Sequence, residues 1–155
     1  MKPITVVGIG SPFGADRIGW EVVEYLKNDH ALQTLCENRV CLLACDRPGL
    51  LLLEYIKNTS LAILVDAIDG GEAGKINCLQ QDQLLLSKQN LSSHSAGVAD
   101  ALKLGDKLNL LPDDVVLYGI EVGKNRGQFN ISREKIEQIV QLIIDEIEDR
   151  INRDL

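Results

Sequence analysis

The chain alternates between short apolar runs and longer stretches in which apolar residues recur every three or four positions. Ile4 to Ile9 (ITVVGI) is a β-branched run punctuated by Gly8 and Gly10, the pattern of a strand buried on both faces that feeds a tight turn. From Asp16 onward, Ile18, Val22, Val23 and Leu26 fall at helical spacing, and Asp16 suits a helix N-terminus. The unit then recurs. Val40 to Cys45 (VCLLAC) predicts a strand, Pro48 to Ile56 a helix opened by an early proline, and Leu61 to Val65 (LAILV) another strand. Gly70, Gly71 and Gly74 mark a turn before a short edge strand at Lys75 to Leu79. Gln80 to Asn90 reads as a loop or short helix beside the site, and Ser95 to Leu108 as an amphipathic helix. Val115 to Ile120 (VVLYGI) predicts a further strand. Arg133 to Ile151 predicts a long helix with an isoleucine-rich stripe and Ser132 as its N-cap.

Strands alternating with helices predict a single α/β domain over residues 1–155: three layers, α/β/α, around a mostly parallel twisted sheet of about five strands. In such folds the loops beyond the C-terminal ends of the strands converge near a topological switch point, and chemistry is sought there.

Composition narrows the picture. With 45% hydrophobic and 25% charged residues, 155 residues suffice for one core without disulfide or metal staples. No apolar run approaches the ~18 residues of a membrane span. The net charge is −7 and the positive residues are scattered, which argues against nucleic acid and membrane surfaces as partners. The opening MKPITVVGIG runs straight into strand-like sequence, so no secretory signal is expected and the protein is predicted to be cytoplasmic. Cys36, Cys41, Cys45 and Cys78 form no CxxC pair and are expected to be reduced thiols of the core.

Candidate chemistry sits at the strand ends. Asp16 follows the first turn, where a helix dipole favours an ionised carboxylate, so it is a cap or a functional acid. Asp66 ends the third strand in LVDAID, from which its carboxylate can project into the crevice. His94, in LSSHSAG, precedes the helix at residue 95; a helix N-terminus disfavours the protonated ring, leaving a neutral imidazole able to ligate a metal. Two carboxylates and one imidazole from three strand-to-helix junctions make a thin, hard site with open positions, too poor in histidine to predict a resident metal. His30 is expected at the surface.

Two other readings are weaker. Gly8-Ile9-Gly10 opens like a dinucleotide fingerprint, with Asp46 where an acidic residue should end the second strand, but Phe13 stands where the third glycine is needed. Ser11, Ser92, Ser93 and Ser95 lie in no G-x-S-x-G elbow, and Cys45 has no base of its own. A metal-binding chaperone using the same three ligands would be a non-catalytic alternative.

The segments VVGIGSPFGADRIGWEVVEYL, ILVDAIDGGEAGKI, SSHSAGVADALKL and VVLYGIEV, in this order and followed by a long terminal helix, resemble the nickel-iron hydrogenase maturation proteases. That resemblance spans nearly the whole chain. It implies an aspartic-type endopeptidase that removes a C-terminal extension from a hydrogenase large-subunit precursor, with no tightly bound cofactor and with nickel recognised on the substrate. Carried over residue by residue, it implies that Asp16, Asp66 and His94 are the nickel-recognition ligands, and that Asp46 matches a further acidic residue of the family, with Asp16 or Asp46 assisting water. The chain departs from the family pattern in a shorter first turn, in Arg47-Pro48-Gly49 where glycine-threonine is usual, and in Ser95 where an acid often follows the histidine.

Overall fold

The computed structural model describes residues 1–35, 39–86 and 95–155. Five strands, β1 (Ile4–Gly10), β2 (Val40–Asp46), β3 (Leu61–Ile68), β4 (Ile76–Gln80) and β5 (Asp114–Glu121), form one sheet in the order β2-β1-β3-β5-β4. All neighbours are parallel except β4, which pairs antiparallel to β5 with Ile76 opposite Ile120. The helices are α1 (Ile18–Lys27), α2 (His30–Leu35), α3 (Leu52–Ile56), α4 (Gln81–Leu86), α5 (Ser95–Lys107) and α6 (Arg133–Arg153). A single α/β domain with a five-stranded, mostly parallel sheet is what the apolar periodicity predicts.

Alternation along the strands divides the core in two. Ile4 and Val6 of β1, Ile63 and Val65 of β3, and Val116 and Ile120 of β5 point to a layer made by α1 and α6, where Val22, Leu26, Ile139 and Ile143 are buried. Val7 and Ile9, Ala62 and Leu64, and Val115 and Leu117 point the other way, to Leu52 and Ile56 of α3, Leu84 of α4 and Leu102 of α5. Burial on both faces explains why β1 and β3 read as unbroken apolar runs. Ser132 caps α6 as expected, accepting a hydrogen bond from the Lys135 backbone N–H at 3.2 Å.

Several expectations need correcting. Cys41 and Cys78 are exposed rather than core thiols, on β2 and β4, the two sheet edges, whereas Cys45 is half-buried and packs against the core layer of Leu52, Ile56 and Leu102. Cys36 lies outside the described residues. The helix expected from Pro48 begins as a 3-10 turn at Gly49–Leu51, and α2 was not foreseen because HALQTL is too short to show a period. His30 is exposed, as expected.

α4 begins at the far end of the sheet from the C-terminal ends of the parallel strands. Antiparallel pairing places Gln80 opposite Val116, near the start of β5, so β4 carries the chain away from the functional edge rather than beside it. The remainder of the Gln80 to Asn90 stretch, from residue 87, lies outside the described residues.

The connection from β1 goes to β2 on one side, and β3 then returns to the other side of β1. A switch point therefore lies between β1 and β3, at the edge where β1 ends at Gly10; β3 runs on to Ile68, so Asp66, expected at the strand end, lies two residues inside it, paired with Gly119 of β5.

Candidate functional site

β1 delivers the first acid through a turn that only glycine permits. A Cβ on Gly10 would stand 2.1 Å from the Asp16 carbonyl oxygen, and the Ser11 N–H donates to that same oxygen at 3.2 Å. Gly14, at φ +53°, lets the chain double back into a 3-10 turn over Gly14–Arg17. Gly8 is also required by the chain's own packing: a Cβ there would lie 2.2 Å from the Gly19 carbonyl oxygen. These glycines accommodate the first helix, and the exposed Phe13 crowns the turn, an arrangement unlike a phosphate cradle.

Asp16 is not a helix cap. The N-cap position of α1 is Arg17, which makes no capping bond through its side chain. The Asp16 carboxylate instead accepts from the buried Ser11 hydroxyl at 2.9 Å through Oδ2, and from the Arg126 guanidinium through Oδ1. Ser11 thus serves as a donor to a carboxylate, a role its place outside any nucleophile elbow left open.

Arg126 lies in the loop after β5, in a 3-10 turn over Arg126–Gln128 that packs against the Gly14–Arg17 turn. Its guanidinium also pairs with Asp69, just beyond β3. A bridge between Gly70 and Gly123, with N–H to carbonyl distances of 3.1 and 2.9 Å, ties the β3 and β5 loops together. Glu121 holds the next stretch, accepting from the Glu72 N–H at 2.7 Å and the Asn77 amide at 3.0 Å. Those two donors pull the Glu121 carboxyl below its usual range.

Asp66 is completely buried, at 0% exposure. Its Oδ1 accepts from the Ala67 N–H at 2.8 Å, whereas Oδ2 has no hydrogen-bond partner among the described residues. Burial pushes its carboxyl up to about 8; the Ala67 N–H and Arg126 oppose that rise, and the neighbouring charges of Asp16 and Asp69 add to it. Asp66 therefore shares one electrostatic neighbourhood with Asp16, Asp69 and Arg126.

Asp46 stands apart from this network. It ends β2 opposite Gly10, is half-exposed, and its Oδ1 accepts from the Arg47 Nε at 2.7 Å. Arg47 adopts a positive φ of 42° and donates its backbone N–H to the Gly10 carbonyl at 3.0 Å. The Arg47-Pro48-Gly49 departure thus has a physical form: the Arg47 N–H holds the end of β2 to β1, and the chain then enters the 3-10 turn at Gly49–Leu51.

His94 lies outside the described residues. Among those described, no cluster of three or more His, Cys, Asp or Glu side chains is arranged to hold a metal ion. Sequence reasoning singled out Asp16, Asp46 and Asp66 but missed Arg126 and Asp69. Both belong to loops at the C-terminal ends of parallel strands, so the strand-end rule that found Asp66 applies to them also. Gly123-Lys124-Asn125-Arg126-Gly127, a polar glycine-flanked run between a buried strand and a long helix, is the signal.

An acidic cluster at the switch point of a sheet with helices on both faces defines the class: an α/β protein with a strand-end site built from the loops of β1, β3 and β5. Comparison with known proteins specifies it further. The family model HycI, hydrogenase maturation protease, matches residues 20–150, and the chain belongs to that family. The hydrogenase expression/formation protein HupD of Bradyrhizobium diazoefficiens is 29% identical over 122 residues, covering 76% of this chain and 62% of HupD, so this chain spans about three-fifths of that relative. The hydrogenase maturating endopeptidase HybD from E. coli superposes with a TM-score of 0.73 at 19% identity, over 98% of this chain and 93% of HybD. The [NiFe] hydrogenase maturation protease HycI from Thermococcus kodakarensis gives 0.58 at 26% identity, over 93% and 91%.

Proposed function

We propose that this chain is an endopeptidase that removes the C-terminal extension of a nickel-iron hydrogenase large-subunit precursor after nickel has been inserted. The observation that carries the reading is the buried Asp66 carboxylate, with one oxygen unpartnered among the described residues, beside Asp16 at the switch point of a chain of this family. Such a carboxyl is costly to keep without a partner, and a divalent ion presented by the substrate would supply one. The family motif SSH adds His94 as the third ligand.

In this reading nickel is part of the substrate. Asp16 and Asp66 contribute oxygen ligands and His94 a nitrogen, while the precursor's own cysteine thiolates hold the rest of the coordination sphere. Asp66 keeps its proton at neutral pH and releases it as the metal docks, because a ligating carboxylate must be ionised. Docking fixes one peptide bond across the strand ends. With Asp16 committed as a ligand, Asp46, exposed and paired only at Oδ1 with Arg47, acts as the base that takes a proton from the attacking water. That assignment makes the hydrolysis aspartic-type. Among the described residues no helix is long and apolar enough to cross a membrane.

The test incubates a nickel-loaded large-subunit precursor with the wild-type chain, Asp66→Asn and His94→Ala, and follows precursor mass. Loss of a short C-terminal peptide with the wild type alone is the expected result. Full processing by either variant overturns the ligand assignment, and nickel binding without cleavage by any of the three would indicate a metal-binding subunit instead.

A further inference from the structure

The Arg126 guanidinium bridges Asp16, after β1, and Asp69, after β3, and thereby joins three loops with one positive charge. It is a quarter exposed, opens the short 3-10 turn of the loop after β5, and stays protonated at any physiological pH. With Ser11 on Oδ2 and Arg126 on Oδ1, both oxygens of Asp16 are already taken in the free protein. A cation could gain Asp16 only by displacing one of these donors, and it would also meet the repulsion of the guanidinium.

We propose that Arg126 is an internal counter-cation that occupies the acidic site and must yield before any metal ion is bound there. The inference rests on reading Asp16 and Asp66 as metal ligands. It explains a property that two exposed carboxylates would lack. Free divalent ions compete poorly with a tethered guanidinium, whereas nickel delivered on a docked precursor arrives with its other ligands in place and with the docking energy of the whole substrate. Arg126 is then a positioning residue that holds Asp16 in place and makes the site discriminate against unaccompanied metal.

The experiment measures Ni²⁺ binding to the full chain by titration calorimetry for the wild type, Arg126→Gln, Arg126→Lys and the double variant Arg126→Gln/Asp16→Asn, with circular dichroism to show that each is folded. Removing one charge in direct contact with a ligand is expected to tighten Ni²⁺ binding about tenfold or more in Arg126→Gln. Arg126→Lys, which keeps the charge, should stay within about threefold of wild type, and the double variant should lose the gain. A purely structural role would loosen binding in both single variants. If Arg126→Gln binds no more tightly than wild type, the counter-cation inference fails, while loss of precursor processing in Asp66→Asn would still support the ligand assignment. If the double variant binds as tightly as Arg126→Gln, Asp16 is not a ligand and the underlying reading fails as well.

Discussion

Gly8 of β1 and Gly19 of α1 face each other so closely that neither has room for a side chain. A Cβ on Gly19 would lie 2.5 Å from the Ile9 carbonyl oxygen and 2.6 Å from that of Val65, both backbone atoms of the central sheet. The helix that follows the first site loop therefore rests directly on β1 and β3, and the turn carrying Asp16 inherits that seating.

Gly19→Ala is expected to destabilise the protein by about 3 kcal/mol or more, because backbone cannot move aside as a flexible side chain can. Gly97→Ala is the control. No described atom lies within 4 Å of its would-be Cβ, and in the first turn of α5 alanine gains up to about 0.5 kcal/mol over glycine. Thermal melts of the two variants should move in opposite directions.

Asp66 gives stability a defined pH dependence. Burial raises its pKa from the ordinary 3.8 to about 8, so the folded state holds a proton that the unfolded chain releases. Below about pH 4 both states are protonated and nothing is lost. As pH rises from there to about 8 this residue's contribution falls, by roughly 1.4 kcal/mol per pH unit at most, and it levels off above. Asp66→Asn, which mimics the protonated form, should be more stable than wild type at pH 8, by on the order of a few kcal/mol. That advantage should vanish near pH 4. Denaturant unfolding at pH 4, 6 and 8 checks both the sign and the window.

Asp46→Asn separates catalysis from architecture. Asp46 is half-exposed, and its ion pair with Arg47 is solvent-facing, so the melting temperature should hardly change. Under the proposed role of Asp46 as the base that activates water, the substitution should nevertheless lower processing of a nickel-loaded precursor by about 100-fold or more. Unaltered turnover would return that role to Asp16 or to the substrate's metal.

On α6, Ile143 is fully buried against the sheet, whereas the adjacent Leu142 faces outward and is partly exposed. Ile143→Ala should cost about 2–5 kcal/mol and Leu142→Ala less than about 1 kcal/mol. Urea midpoints for the pair would confirm the face of α6 that seals the core.

The strands β1, β3 and β5 were legible because burial on both faces forces unbroken apolar runs such as LAILV. Edge position was harder to read. VCLLAC resembles a central strand, yet β2 lies at the margin of the sheet with Cys41 exposed, since an apolar run records local preference and not how many neighbours the topology supplies. Asp66 and Asp16 were singled out because the apolar pattern places them at or just after strand ends, although β3 runs two residues beyond Asp66. The polar run Gly123 to Gly127 marks a strand-end loop, but the pairing that gives Arg126 its meaning is with Asp16, 110 residues earlier, and no local pattern encodes so distant a pair.

That separation governs when the site comes into being. Asp16 and Asp66 emerge from the ribosome well before Arg126, and β1 stays without its partners until β2 and β3 have been synthesised. Non-local parallel pairing is slow to nucleate, and the loop holding Arg126 reaches its place only once β5 has joined β3. A nascent or half-folded chain thus has the acids without the arrangement, and the Asp16–Arg126–Asp69 cluster is assembled only with completion of the sheet.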